Sequence, residues 1–225
     1  FIAVITLLTG ILYPPNTWDS MTYHMSKIMH WIQNHSVAPY PTNCVRQLYL
    51  APFSEFVILQ FQLLLNNDYL ANIVQWVSML GSVAGVSLIA KEFGASVRGQ
   101  IFAALVCATI PIGIIESSST QTDYVITFFI VGLILSILKF IKENKFKYLL
   151  MIGATLGLSI LTKGTAYIYA APFMAYFGFI LLKQNRLKEF IKAFSVITII
   201  VLTINAGHLA RNYYVFNTFL TPASE

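Results

Sequence analysis

Six ionisable residues of this chain stand where a carboxylate or a cation could do chemistry. Asp19 follows Trp18 and the Pro14-Pro15 pair, just beyond an apolar run from Phe1 to Tyr13. A carboxylate at a water boundary stays ionised and can serve as general base or metal ligand. For the residue taken alone, an N-cap on a helix starting at Ser20 is the better account. Glu116 and Asp123 bracket Ser117-Ser118-Ser119-Thr120-Gln121-Thr122, so two carboxylates and five hydroxyls share one boundary. That set suits a sugar, a cation or a phosphate, and it suits equally a solvated loop with Asp123 opening a helix. Lys163 precedes Gly164 in a short polar break, and His208 and Arg211 follow the last apolar run. Cations beside an apolar cavity fit a phosphate that carries a lipid tail. Snorkelling to headgroups is slightly the better account of Arg211, whereas the hairpin position and the Gly164 neighbour favour the phosphate role for Lys163.

The elements that must position these residues are transmembrane helices. Hydrophobic residues make up 57% of the chain and charged residues 10%, with a mean hydropathy of +0.70, which excludes an ordinary water-soluble domain. Apolar blocks recur along the whole sequence, so one signal peptide does not explain them. Backbone polar groups in hydrocarbon must be paired within their own segment, which makes each block a helix. The expected spans are 1–13, 69–90, 100–115, 123–140, 149–162, 165–182 and 193–208, and the fold class is all-α, a polytopic transmembrane helix bundle. The chain begins at Phe1 inside an apolar run and ends at Glu225 just after a membrane segment, so 1–225 reads as the N-terminal part of a longer membrane domain.

Charge bias orients the bundle. Lys91 and Arg98, then Lys139, Lys142, Lys145 and Lys147, then Lys183, Arg186, Lys188 and Lys192 fill three breaks and account for ten of the fourteen basic residues. These loops are expected to face the cytoplasm. Six of the nine acidic residues, Asp19, Glu55, Asp68, Glu116, Asp123 and Glu225, fall in the remaining loops. Residues 149–182 then cross twice, with Thr162-Lys163-Gly164 as the outer hairpin tip. The apolar run Phe53 to Leu65 is too short for a span and would invert the next loop if it crossed, so an interfacial or re-entrant helix is expected. All six candidate residues gather on the non-cytoplasmic face.

Residues 14–68 form the largest non-spanning region, an outer loop with interfacial helices. Met21, Ile28, Met29 and Ile32 repeat at helical spacing while Ser20, Lys27 and His30 lie elsewhere, a pattern best explained by packing at the membrane surface. Cys44 and Cys107 have no neighbour at metal-ligand or redox spacing, so no metal site or disulfide framework is expected. The net charge of +5 sits mainly in the basic loops and gives no nucleic-acid surface. Asn34-His35-Ser36 matches a glycosylation sequon, a triplet common by chance. A polytopic lipid or glycolipid transporter or flippase is the alternative reading of such a chain. Transporters place charges at the midplane and carry repeated halves, neither of which is seen here.

Three stretches resemble the first outer loop of membrane-embedded C-type glycosyltransferases. They are Trp18-Asp19-Ser20-Met21-Thr22-Tyr23-His24, Ile28-Met29-His30-Trp31-Ile32-Gln33-Asn34 and Arg46-Gln47-Leu48-Tyr49-Leu50-Ala51-Pro52. The likeness is to the bacterial branch related to protein O-mannosyltransferases and aminoarabinose transferases, a glycosyltransferase family 39-like group. It continues through Ser118-Ser119-Thr120-Gln121-Thr122-Asp123-Tyr124, Leu161-Thr162-Lys163-Gly164 and Arg211-Asn212-Tyr213. The resemblance implies transfer of a hexose or pentose from a polyprenyl-phosphate donor to a lipid, glycan or protein acceptor, outside the bacterial inner membrane. It gives Asp19 the acid-base role and makes Asp123 the second acidic position. Tyr23, His24, Arg46, Glu116, Lys163, His208 and Arg211 become substrate-binding, with Lys163 and Arg211 suited to the carrier phosphate. Ser20 stands where many relatives carry a second acidic residue, which leaves no adjacent carboxylate pair for a metal. A divalent cation is the only cofactor left open, and membrane lipids are the expected surroundings.

Overall fold

The computed structural model describes residues 1–220 and 222, and within them the fold is all-α. Helix α1 (Ile2–Leu12) leads to a π-helical turn (Ser20–His24) that continues into α2 (Met25–Gln33). Two further helices, α3 (Arg46–Tyr49) and α4 (Phe53–Leu65), close the first loop region. The bundle then runs through α5 (Ile73–Glu92), α6 (Val97–Ala108), α7 (Pro111–Glu116), α8 (Asp123–Glu143), α9 (Phe146–Ile160), α10 (Ala166–Lys183) and α11 (Leu187–Phe216). Four of these, α5, α8, α10 and α11, are long and apolar enough to cross a membrane. Their outward faces carry exposed Leu88, Ile168, Phe179, Ile199 and Leu202, a surface that only lipid covers without cost, so the chain is an integral membrane protein. Glu225 lies outside the described residues.

Small residues let the helices approach closely. Gly81 and Gly85 of α5 face Phe128 and Val131 of α8, and Gly153 and Gly157 of α9 face Ile200 and Ile204 of α11. With no hydrophobic drive between helices in lipid, such close backbone packing is a main source of association. Asn66, Asn144 and Asn217 end α4, α8 and α11 in the left-handed conformation, where a short polar side chain is tolerated.

The two ends of the bundle are chemically different. At one end Glu92 of α5 pairs with Lys139 and Lys142 of α8, Lys145 pairs with Glu143, and Lys192 lies over the Phe146 ring. At the other, Asn72 donates to Gly10 O and Tyr13 O, Gln75 meets the start of α8, and Asn212 donates to Tyr49 O. Every loop read as basic and cytoplasmic is at the first end, and the loops bearing the candidate residues are at the second.

Two spans differ from the sequence reading. The expected helix over 100–115 breaks between α6 and α7, because Pro111 removes a backbone donor and holds Ile110 in an extended conformation. The expected span 193–208 is part of a 30-residue helix, so His208 and Arg211 belong to the last turns of α11 rather than following it. The 13 residues of α4 extend only about 20 Å. The start of α4 is tied to α9 by Phe53 N–H donating to Leu161 O at 3.0 Å. Its end returns to the same pole through the short turns at 67–71 and the Asn72 bonds. In between, Ile58 and Leu59 pack on Ile28, Trp31 and Ala71.

Candidate active site at one end of the bundle

Asp19 is half-buried and immediately precedes the π-helical turn, whose residues four apart face the same way. Its carboxylate meets the Tyr23 phenol, and burial first, that hydrogen bond second, raise the phenol well above its ordinary range. Tyr23 therefore stays protonated and donates to Asp19. Ser20 is completely buried; its hydroxyl lies 2.6 Å from Thr17 Oγ1 and accepts from Thr120 Oγ1 at 2.7 Å. Ser20 thus fastens the first loop to the hydroxyl-rich loop before α8.

The N-terminus of α8 is held by Gln75, whose Oε1 accepts from the Tyr124 and Val125 N–H groups at 3.1 and 3.3 Å. This fixes Asp123 in the first helical turn, where Lys163 Nζ reaches its Oδ1 at 2.8 Å. Both side chains of that pair remain part-exposed, 37% for Lys163 and 48% for Asp123. Solvated pairs of this kind contribute only about 0–1 kcal/mol, so the lysine can share its charge with another anion. Glu116 joins the group, its carboxyl raised first by burial and then by the charge of Asp123. Glu116, Gln121, Asp123 and Lys163 form the polar side of a cavity of about 430 Å³ whose other walls are Ile110, Ile112, Tyr124 and neighbours. Asp19 acts electrostatically on Tyr23 and Glu116, and Arg46 and Asp123 act on Tyr23, so the first loop and the cavity share one field.

Residues 51–209 match the profile of the dolichyl-phosphate-mannose-protein mannosyltransferase family. The chain belongs to this family. No curated protein and no solved structure matches it significantly. The membership makes the chain a glycosyltransferase, and it lends no support to the transporter reading. The match contains Glu116, Asp123, Lys163 and His208, while Asp19, Tyr23, His24 and Arg46 precede it and Arg211 follows it.

The candidate residues of this mannosyltransferase-family chain fall into two groups. Asp19, Tyr23, Arg46, Glu116, Asp123 and Lys163 make the first. His208 and Arg211 belong to a second, on the other side of the Lys163–Gly164 turn. Arg211 Nη2 lies 3.2 Å from His208 Nδ1, and Lys27, Glu55 and Tyr40 are its charged and phenolic surroundings. His208 lines a cavity of about 250 Å³ together with Gly164, Asn205 and Asn212. His24 bridges the two groups: its ring lies 4.5 Å from that of Tyr23, while its Nδ1 is 3.0 Å from Glu55 Oε1. Lys27, expected on the wet face of an interfacial helix, is completely buried against the same glutamate.

Sequence reasoning missed Gln75, Ser20, Lys27 and Glu55 as site-building residues. Glu55 alone carried a usable signal, since a charge within the apolar run Phe53 to Leu65 demands a partner. Among the described residues no three His, Cys, Asp or Glu side chains gather as metal ligands.

Proposed function

We propose that the chain transfers a sugar from a polyprenyl-phosphate donor to a lipid, glycan or protein acceptor at the non-cytoplasmic face of a bacterial inner membrane. The observation that carries this reading is the convergence of Asp19, Tyr23, Glu116, Asp123 and Lys163 beside an apolar-walled cavity in a glycosyltransferase of this family.

In the proposed reaction Asp19 accepts the proton of the acceptor hydroxyl as its oxygen bonds to the anomeric carbon. The bond from that carbon to the phosphate oxygen breaks, and the polyprenyl phosphate leaves with the electron pair. Lys163 faces the departing charge from the cavity, with Arg46 in the same field and Arg211 across the Lys163–Gly164 turn. Single displacement inverts the anomeric centre. Tyr23 orients Asp19 rather than taking the proton, because its own phenol stays protonated.

Reconstitution in liposomes with a labelled polyprenyl-phosphate sugar tests the reaction. Label appearing on an acceptor supports transfer; label crossing the bilayer without transfer defeats the proposal. The facing of the site is checked separately, in a background with Cys44 and Cys107 exchanged for Ser. A thiol probe confined to the outside is expected to label Ser36→Cys and to spare Lys145→Cys, and the reverse pattern inverts the topology.

A further inference from the structure

Glu55 is a fully buried carboxylate shared by two basic side chains. It is 0% exposed in the first turn of α4, and its Oε1 meets both Lys27 Nζ and His24 Nδ1 at 3.0 Å. Lys27, also 0% exposed, donates further to Leu50 O at 3.3 Å and lies 5.8 Å from the Trp31 ring. Burial alone would raise the Glu55 carboxyl, but the Lys27 ammonium and the His24 hydrogen bond outweigh it and hold it lowered to about 2. Its second oxygen is buried without a hydrogen-bond partner. As a device for stability this is a poor choice, since apolar residues of similar volume commonly hold helices as well or better than a buried ion pair. What the pair does supply is register.

The register it sets is that of the π-helical turn. A π-turn is rare and persists only where its surroundings over-determine it. The Ser20 end is pinned by Thr17 and Thr120. The His24 end is pinned by Glu55, and Lys27, one turn further into α2, is pinned by the same oxygen. Asp19 and Tyr23 lie at and within this doubly anchored segment. We propose that Glu55, gripping His24 and Lys27 through one carboxylate oxygen, is a positioning residue that holds the π-turn so that Asp19 and Tyr23 face the Asp123–Lys163 side of the cavity. The inference rests on the reading of Asp19 as base.

The test uses the reconstituted protein and compares two double variants. E55L/K27M removes both buried charges together, so neither is left uncompensated, and it deprives His24 Nδ1 of its acceptor. E55Q/K27M also removes both charges but keeps an acceptor. Expected is a fall in kcat of about tenfold or more for E55L/K27M, with KM for the donor within about threefold and little change in Tm, because carrier binding is untouched while the base is displaced. E55Q/K27M keeps kcat within about threefold of the parent. Wild-type kcat for folded E55L/K27M overturns the inference, as does an equal loss in both variants. Should E55L/K27M fail to fold, His24→Phe added to E55Q/K27M decides: a tenfold loss in kcat with KM for donor and acceptor within about threefold supports positioning, and an unchanged kcat, or a loss confined to KM, overturns it. Wild-type transfer by Asp19→Asn overturns the underlying assignment and this inference with it, whereas an inactive Asp19→Asn beside a fully active E55L/K27M overturns this inference alone.

Discussion

Asp19→Asn is expected to lower the rate of transfer by about 10²-fold or more while polyprenyl-phosphate binding persists. The exchange keeps the size of the side chain and its ability to accept from the Tyr23 phenol, so the π-turn and its anchors at Ser20 and His24 stay in place. What disappears is the basicity that takes a proton as the acceptor oxygen attacks. A group acting only in the transition state lowers kcat and kcat/KM together and leaves ground-state binding alone. Steady-state transfer and equilibrium binding of the unsugared carrier, measured on the same preparation, separate the two effects. Near-normal kcat in the variant would remove Asp19 from the chemistry. Lost carrier binding with reduced kcat would make it a binding residue instead.

The spans were legible because an uninterrupted apolar run has no alternative to a helix in hydrocarbon, and the runs that became α5, α8 and α10 stand in the structure within a few residues of their expected ends. The length of α11 was hidden by chemistry rather than by pattern. His208, Arg211 and Asn212 read as the edge of a span, yet the Asn205 and Asn212 amides donate to Gly157 O and Tyr49 O, and His208 contacts both Arg211 and Asn212, which lets the helix continue. The break between α6 and α7 was not read: the expected span over 100–115 runs through Pro111, because composition around it stays apolar and hid the change of direction. The two carboxylates flanking the hydroxyl-rich loop could be placed together from sequence because only six residues separate them. The Glu55 pair could not: His24 and Lys27 are 31 and 28 residues away, and nothing in local spacing selects one buried partner over another. Gln75 illustrates the same limit, since a glutamine inside an apolar run gives no sign that it caps a helix 49 residues further on.

That division bears on how the site handles phosphate. One pole of the bundle holds two cationic groups separated by the Lys163–Gly164 turn, and they differ in how free their charges are. Arg211 is engaged with His208 and faces a buried glutamate, whereas Lys163 is part-exposed and paired with an aspartate that is itself nearly half-exposed. An incoming phosphate therefore meets Lys163 at the smaller cost, because water already screens the pair it must share.

Lys163→Met is accordingly expected to weaken donor binding by about tenfold to hundredfold. A hydrogen bond to a charged group contributes about 1.5–3 kcal/mol, and each 1.4 kcal/mol corresponds to a factor of about ten. The methionine keeps the length and apolar bulk of the stem against the cavity wall, so the loss reports the ammonium and not a hole. Asp123 is left without its cation, but it is 48% exposed and remains solvated, so Tm should move little. Because negative charge on the phosphate grows as the carrier leaves, kcat falls as well as affinity, which separates this variant from one that removes uniform binding alone. Lys163→Arg restores a cation at the same place and should recover part of both parameters, the remainder measuring how closely the ammonium is matched to the Asp123 carboxylate. Equilibrium binding of polyprenyl phosphate to the reconstituted protein, followed by single-turnover transfer, provides both readings. Unchanged binding and unchanged transfer in Lys163→Met would take the lysine out of the phosphate clamp. The same result accompanied by loss of binding in Arg211→Met would move the clamp to the other side of the turn.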